Sequence, residues 1–374
     1  MQAVRLALLA RADRVGGDTS AVATVLFAEA FIALLVGILG GPLLDRYDPR
    51  WAGVIANLWR GACTVSLLWV ESFQALVLFA GLFALGDGLY VPARSSMVAR
   101  LAGADGVLAL NSKVGAAQGL ALVLGPVAWA TATQLGGPEV VLWALGVSFA
   151  LSGFLLVGVI TKQGVQGVGY LTELKAGLTF VAKSSVIRVG LFLFGLAVLL
   201  VGGFYPLLPS IAALNSPGAT EAGMGAMVVG IGLGGLLGAG LAPIIISRFG
   251  RGRVGIFTVI LDGVFFAGLS VEWGLWGVAS WMFGWGFVIL VSLIAFTTIF
   301  QEEAPLELRG RVLALLPPLQ GAGTALAFAL VAIFASGFSS AQITLLGGLG
   351  LVGVTILLWV SPIGRGFAKS GKEA

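Results

Sequence analysis

Apolar residues follow one another along this chain in long runs, which short charged segments interrupt. A helix needs roughly 20 mostly apolar residues to cross the hydrocarbon core of a bilayer. Runs of that length predict eleven membrane-spanning helices, at residues 21–44, 51–70, 73–91, 107–135, 138–160, 189–214, 222–246, 254–271, 274–300, 312–338 and 341–360. The pattern therefore predicts an all-α protein that crosses a membrane many times.

The segment before the first of these runs has about half the length of a span. Residues 1–10 are apolar apart from Gln2 and Arg5, and Arg11, Asp13 and Arg14 follow at once. A short or tilted helix, a helix at the membrane surface and the remainder of a longer helix all fit this pattern. We favour a truncated first helix.

A polar interval at residues 161–187 divides the chain into an N-terminal bundle, 1–160, and a C-terminal bundle, 188–374. The sequence Val-Leu-Ala-Leu occurs in each bundle, at 107–110 and at 312–315, where it opens a span after a charged loop. Parallel repeats of this kind are a common way to build a transporter around a central cavity. We interpret the chain as a duplicated bundle.

The polar interval and the other connections predict how the chain is oriented. Leu171, Leu174 and Leu178 fall on one helical face, which predicts an amphipathic helix along the membrane surface, although a solvated linker fits equally well. After residue 44, Lys and Arg occupy every second connection, and the alternate connections carry Glu without Lys or Arg. Because cytoplasmic loops are enriched in Lys and Arg, the basic side and the C-terminus are predicted to be cytoplasmic.

Composition narrows the class of protein further. The chain is 58% hydrophobic and only 10% charged, against about 25% charged residues in soluble domains. It has no histidine, and its one cysteine, Cys63, excludes an internal disulfide. The net charge of +4 is too small to indicate nucleic-acid binding. No phosphate-binding loop of the Gly-x-x-x-x-Gly-Lys-Ser/Thr type occurs, and we expect no metal or other cofactor.

Four of the charged residues within the predicted spans stand out, because charge there is costly and often functional. Arg60 and Asp87 fall at similar depths on neighbouring spans, which predicts a buried ion pair. Glu29, Asp87 and Asp262 are candidates for proton coupling, because a carboxyl group in a low dielectric favours its neutral form. We favour Glu29, since no Lys or Arg is expected at its depth. Asp262 occupies the position of Arg60 in the second half, and a structural role is the simpler explanation for it.

Glycine, tryptophan and proline also occur in informative positions. Glycines recur every four residues, which lets helices approach closely, at Gly115 and Gly119 and at Gly230, Gly234 and Gly238. Trp281 and Trp285 share a helical face deep in the membrane and suit a flat apolar or cationic substrate in a cavity, with core packing as the alternative. Pro206 and Pro209 should kink their helix toward the same cavity.

Three segments carry a recognisable pattern: residues 41–50 read Gly-Pro-Leu-Leu-Asp-Arg-Tyr-Asp-Pro-Arg, residues 92–94 read Pro-Ala-Arg, and residues 302–312 read Glu-Glu-Ala-Pro-Leu-Glu-Leu-Arg-Gly-Arg-Val. The first resembles a loop signature of the major facilitator superfamily, and the other two are similar to the macrolide and siderophore efflux branch of that superfamily. The resemblance implies two six-helix bundles in a pseudo-twofold repeat, with the glycine-rich helices packed across the two halves. It also implies a cytoplasmic gate formed by Asp45, Arg46 and Arg50, with a degenerate copy at Arg248 and Arg251.

These features favour a secondary active transporter in a bacterial inner membrane. The leading hypothesis is proton-coupled export of amphipathic small molecules by a monomer that uses alternating access. A lipid or lysolipid flippase is the first alternative, and a cleft open to the bilayer would favour it. A membrane-embedded enzyme would need clustered polar groups at one depth, and the sequence shows only scattered carboxylates. A channel would need a ring of charge or a carbonyl filter, and neither is visible.

Overall fold

The computed structural model describes residues 2–44, 48–159, 170–305, 308–313 and 315–369. Within these residues the chain is helical and contains no strand. A 3₁₀ turn at Leu67–Trp69 accompanies the helices α1 (Gln2–Gly16), α2 (Thr19–Leu44), α3 (Pro49–Ser66), α4 (Phe73–Val157), α5 (Tyr170–Lys183), α6 (Ser185–Val201), α7 (Phe204–Asn215), α8 (Thr220–Phe249), α9 (Arg251–Gly268), α10 (Gly274–Glu303), α11 (Arg309–Leu313), α12 (Leu316–Phe334), α13 (Ser340–Val360) and α14 (Pro362–Lys369).

The chain divides into two compact units. Unit 1 comprises Met1–Tyr170 and unit 2 comprises Leu171–Ala374. The boundary falls inside the interval 161–187. Helices α1–α4 belong to unit 1, and helices α6–α14 belong to unit 2.

Seven described helical segments are long and apolar enough to cross a membrane. They coincide with seven of the eleven predicted spans, and they are Thr19–Gly37, Phe73–Val98, Glu139–Val157, Thr220–Phe249, Gly274–Glu303, Arg311–Phe334 and Ser340–Val360. The prediction of an all-α, many-span membrane protein is confirmed by these segments.

The other four predicted spans match the helices only loosely. Helices α3 and α9 have 18 residues each and carry charged residues along their length, which lowers their apolar character. The span predicted at 189–214 is divided between α6 and α7. The span predicted at 107–135 lies within α4, in a region where most side chains are outside the described set.

Helix α4 is helical over 85 consecutive residues, but it is not straight. The rings of Phe83 and Phe149 lie 6.4 Å apart in an edge-to-face contact. In a straight helix, 66 residues at 1.5 Å each would separate them by about 100 Å. Gly137 has a φ of +79°, which breaks the helical path. The run therefore folds back, so that its early and late parts both pack on α3.

Helix α1 is short and buried against the rest of unit 1. Its 15 residues extend about 22 Å at 1.5 Å per residue, less than the roughly 30 Å hydrocarbon core. Leu6, Leu8 and Leu9 are fully buried. Arg11 donates hydrogen bonds to the carbonyl oxygens of Val70, at 3.0 Å, and Leu68, at 3.3 Å. The predicted half-length helix is thus an integral part of the unit.

The helix predicted within the central interval is present as α5. Its described part, Gly177–Lys183, meets Ser185–Val201 at an angle of 109°. Gly177 lies against the backbone carbonyl of Arg311, where a Cβ atom would be too close. A helix nearly perpendicular to a membrane span suits the membrane surface, and that location stays a prediction.

The break between α6 and α7 is explained by Pro206. Proline lacks the N–H that would donate to the carbonyl four residues earlier, and its ring clashes with that carbonyl. The residue four positions before Pro206 is Gly202, where α6 has just ended. Pro209 lies inside α7. The predicted kink is therefore a complete interruption at Gly202 and Gly203.

Glycines of α8 pack directly against the backbone of α10 in the same unit. A Cβ atom on Gly230 would lie 2.5 Å from the carbonyl oxygen of Ala279. On Gly234 and Gly238 it would collide with the carbonyl oxygens of Phe283 and Phe287. The prediction that this glycine face packs on the other half of the chain is wrong, because α10 occupies it. The surroundings of Gly115 and Gly119 lie outside the described residues.

Candidate functional site

Arg60 forms the centre of a buried polar cluster in unit 1. Its Nη1 lies 3.0 Å from Oδ1 of Asp87, and its Nη2 donates to Oδ1 of Asn57. The guanidinium carbon also lies 3.9 Å from the ring centroid of Tyr90 and 4.8 Å from that of Phe149. Arg60 is 2% exposed. The predicted ion pair between Arg60 and Asp87 is confirmed.

Two members of this cluster were not predicted. Asn57 precedes Arg60 by three residues, and Tyr90 follows Asp87 by three residues. Residues three apart on a helix share a face, so the spacing could have predicted that both residues belong to the cluster. Asn57 additionally donates to the Ser152 hydroxyl at 3.3 Å, which links α3 to the late part of α4.

Glu29 has a basic partner that the sequence analysis did not foresee. Nη2 of Arg5 lies 2.9 Å from Oε1 of Glu29, whose side chain is 6% exposed. The premise that Glu29 lacks a cation at its depth is therefore wrong. The short helix α1 brings Arg5 alongside α2, an arrangement that depends on tertiary packing and leaves no local sequence signal.

Asp262 is a buried acidic residue of unit 2, and none of the described residues forms an ion pair with it. It lies on α9, is 6% exposed, and its Oδ1 is buried without a hydrogen bond. The indole of Trp285 on α10 is the polar neighbour of its carboxyl group. The indole Nε1 is also buried without a hydrogen bond of normal geometry. Two unsatisfied polar groups thus face one another in the interior of unit 2.

The other charged groups of α9 and of the helices that pack on it lie toward the ends of those helices, and none of those described forms an ion pair with Asp262. On α9 itself the nearest is Arg253, nine residues away, or about 13 Å along the axis. On α10 the acidic residues are Glu302 and Glu303, beyond the position of Trp285 by more than four helical turns. Helix α13 contains no charged residue. The neighbouring α6, α8 and α14 carry their charges in terminal turns, at Arg188, Glu221, Arg248, Arg365 and Lys369.

Arg60 and Asp262 occupy related positions in the two units. Each is a buried charged residue within an 18-residue helix, and each contacts a polar side chain of the helix that follows in the chain. In unit 1 the partner is the carboxylate of Asp87, and in unit 2 it is the indole of Trp285. A neutral donor does not compensate a full charge, so the two sites differ in their electrostatics.

The two tryptophans predicted to line a cavity pack within unit 2. Trp285 is 2% exposed and contacts Phe204 at 5.1 Å and Phe266 at 5.9 Å between ring centroids. Trp281 donates through its Nε1 to the carbonyl oxygen of Phe265 at 2.7 Å. Both rings therefore pack against α9. A substrate-binding role for them, and for Pro206 and Pro209, stays a prediction.

The described residues of the predicted gate make contacts inside their own units. In unit 1, Arg50 lies 3.6 Å from Asp48, which caps α3, and donates to the carbonyl oxygen of Val159 at 3.3 Å. In unit 2, Arg251 pairs with Glu302, and with Glu303 at 3.8 Å. Arg248 is exposed beside the Phe249 ring. Asp45 and Arg46 lie outside the described residues, so the gate stays a prediction.

The long apolar helices and buried charges define a helical membrane protein of the transporter type. A family model for the Major Facilitator Superfamily matches residues 3–328. The chain belongs to this superfamily. No curated protein sequence matches it significantly.

Solved transporter structures share the fold over nearly the whole chain. A POT family transporter in complex with 5-aminolevulinic acid gives a TM-score of 0.79 at 13% identity, over 98% of this chain and 93% of that one. The nucleoside transporter NupG gives 0.74 at 12% identity, over 98% and 96%. A peptide transporter POT gives 0.72 at 16% identity, over 97% and 91%. At such identities the likeness shows the fold alone.

The family and the fold together fix the general activity. The chain is a multi-pass membrane transporter of small molecules, not an enzyme.

Proposed function

We propose that the chain is a proton-coupled exporter of amphipathic small molecules that works by alternating access between its two bundles. The observation that carries the proposal is the buried carboxyl group of Asp262, which has no counter-charge among the described residues. An uncompensated carboxylate in a low dielectric is costly, so the stable form of such a group is the neutral acid. A group of this kind can take up a proton when water reaches it and release the proton on the other side.

Asp262 is favoured over the other two acids by its surroundings. Asp87 is compensated by Arg60, and Glu29 is compensated by Arg5. A carboxylate held in an ion pair is stabilised in its charged form, so it must break that pair before it can carry a proton. Asp262 instead faces the N–H of Trp285, which can donate to the carboxyl group in either protonation state.

The substrate class and the direction of transport rest on different support. The resemblance of residues 92–94 and 302–312 to the macrolide and siderophore efflux branch favours export of amphipathic compounds from a bacterial cytoplasm. Resistance profiling identifies the compounds: drug-sensitive cells that produce the chain are compared with cells that carry an empty vector, over a broad panel. We expect higher tolerance to a group of amphipathic compounds.

Proton coupling is tested with one such compound and three variants in proteoliposomes. Asp262→Asn keeps the shape of the side chain but cannot titrate, so it should abolish accumulation driven by a pH gradient while preserving exchange of labelled for unlabelled compound. Glu29→Gln and Asp87→Asn are the comparison variants and should keep gradient-driven accumulation, scaled to the amount of folded protein. Loss of accumulation in Glu29→Gln, with Asp262→Asn active, would assign the proton to Glu29 instead.

A further inference from the structure

An apolar cavity lies inside unit 2 between α6, α9, α12 and α13. Its volume is about 310 Å³. Every residue that lines it is apolar or glycine, and its walls include Leu199, Gly203, Phe266, Leu330, Phe334 and Leu346. Neither Asp262 nor Trp285 lines the cavity, although Phe266 forms part of its wall and also packs against Trp285.

The mouth of the cavity is at the surface near the turn between α12 and α13. Phe334, Phe338 and Leu346 line it and are 49%, 43% and 57% exposed. The cavity extends to Gly347, which is seven residues into α13 and so about 10 Å along that helix. Helix α13 is itself long and apolar enough to cross the membrane. The cavity therefore extends from the end of that span to about 10 Å along it, a depth that belongs to the hydrocarbon region of a bilayer that α13 crosses.

Three kinds of content are conceivable for such a cavity. If it were empty, the lining atoms would lose their dispersion contacts. Water needs two to four polar partners, and no lining side chain offers one. A hydrocarbon chain needs no polar partner and restores the lost contacts. The volume suits on the order of ten methylene groups, if each takes roughly the 30 Å³ of a water molecule.

We propose that this cavity holds the end of an acyl chain from a phospholipid of the surrounding bilayer. The phospholipid belongs to the leaflet on the side of the α12–α13 turn, where its headgroup lies near residues 335–339. That turn contains Ala, Ser, Gly and Phe and no charged residue. The site therefore recognises the acyl chain of the lipid and not its headgroup, and zwitterionic and anionic phospholipids should bind alike.

The first test uses the unaltered protein in nanodiscs of phosphatidylcholine. A small fraction of the lipid carries a photoreactive diazirine near the end of one acyl chain, and labelled positions are located by mass spectrometry. We expect several-fold more label on Leu330 and Ile343, which line the cavity, than on Ile244 and Leu357, which are 63% and 70% exposed outside it. Label distributed in proportion to exposure would overturn the proposal.

The second test fills the cavity from its wall. Leu330→Trp and Ile343→Trp enlarge two partly exposed lining residues, and each should reduce the label on the remaining lining residues several-fold. Leu326→Trp is the matched control, because Leu326 lies on the same helix as Leu330, is 51% exposed and does not line the cavity. Undiminished labelling in both filled variants would contradict the proposal.

Two further comparisons test whether the headgroup of the lipid matters and whether the bound lipid is resident or transported. Replacing the probe by phosphatidylglycerol with the same photoreactive chain should leave the label unchanged, and a strong preference for one headgroup would refute the chain-selective site. The protein in liposomes should not accelerate movement of a phospholipid with a fluorescent headgroup between the leaflets. Accelerated movement would mean that the lipid is cargo, and the assignment as a resident lipid would be wrong.

Discussion

Three acidic residues within the helices of this transporter differ in how their charge is compensated. Asp87 is paired with Arg60 at 3.0 Å, and Glu29 is paired with Arg5 at 2.9 Å. Asp262 has the indole of Trp285 beside its carboxyl group and no cation among the described residues. The contribution of a buried ionised group to stability depends on its partner, because removing one member of a pair leaves the other charge unpaired. The three acids should therefore respond differently to substitution.

Asp87→Asn and Asp262→Asn should have unequal consequences for stability. Asp87→Asn leaves the buried guanidinium of Arg60 uncompensated and should lower the free energy of unfolding by about 3 kcal/mol, the lower end of the range for a broken buried pair, since Asp87 is partly exposed. If Asp262 is neutral, as proposed, Asp262→Asn exchanges one uncharged group for another and should change the free energy of unfolding by less than about 1 kcal/mol. Unfolding of the purified variants in detergent measures both, and a loss in Asp262→Asn as large as that in Asp87→Asn would show that Asp262 is ionised and paired.

Arg5 and Glu29 should be coupled in a double-mutant cycle. Arg5→Met leaves a carboxylate that is 6% exposed without its cation and should destabilise unit 1 by about 2–3 kcal/mol, less than a fully buried pair because Arg5 is 30% exposed. The double variant Arg5→Met with Glu29→Gln removes both charges and should recover most of that loss. If the two single effects simply add, the residues do not interact in the membrane.

At the scale of helices, the contact between α8 and α10 depends on residues that have no side chain. Gly230, Gly234 and Gly238 repeat every four residues, and the α10 carbonyl oxygens that they meet belong to Ala279, Phe283 and Phe287, also four apart. Small residues allow this close approach in a membrane, where no hydrophobic driving force holds helices together. The spacing predicted close packing correctly, but it could not identify the partner helix, because any neighbouring helix satisfies the same spacing.

Two substitutions on α8 separate packing from helix propensity. A Cβ atom on Gly234 would overlap the backbone of Phe283, whereas none of the described atoms lies within 4 Å of the Cβ position on Gly240. Gly234→Ala should therefore destabilise unit 2 by about 1–3 kcal/mol or more, because overpacking usually costs this much. Gly240→Ala should be neutral or stabilising by up to about 1 kcal/mol, because alanine favours helix. Thermal unfolding of both variants in one detergent provides the comparison, and equal stability would contradict the packing described for Gly234.

For the whole molecule, the sequence was sufficient wherever one local property decides the structure. Seven of the eleven spans predicted from length and apolarity are present, a bend was predicted near Pro206 where α6 ends, and similar depth predicted the pair of Arg60 with Asp87. Features that need two distant segments were missed. The pairing of Arg5 with Glu29 requires the packing of α1, and the place of Trp285 beside Asp262 requires the register of α9 against α10. A buried acid is visible in a sequence, but its counter-charge is a property of the fold.

Transport driven by a proton gradient should be visible in uptake by the purified protein. Proteoliposomes without ATP are given a transmembrane pH gradient and a compound identified by resistance profiling, and uptake is followed with and without nigericin, which dissipates the gradient. We predict accumulation that requires the gradient and collapses when nigericin is added. Accumulation that persists after nigericin, or that appears only with ATP, would show that transport is not coupled to the proton gradient.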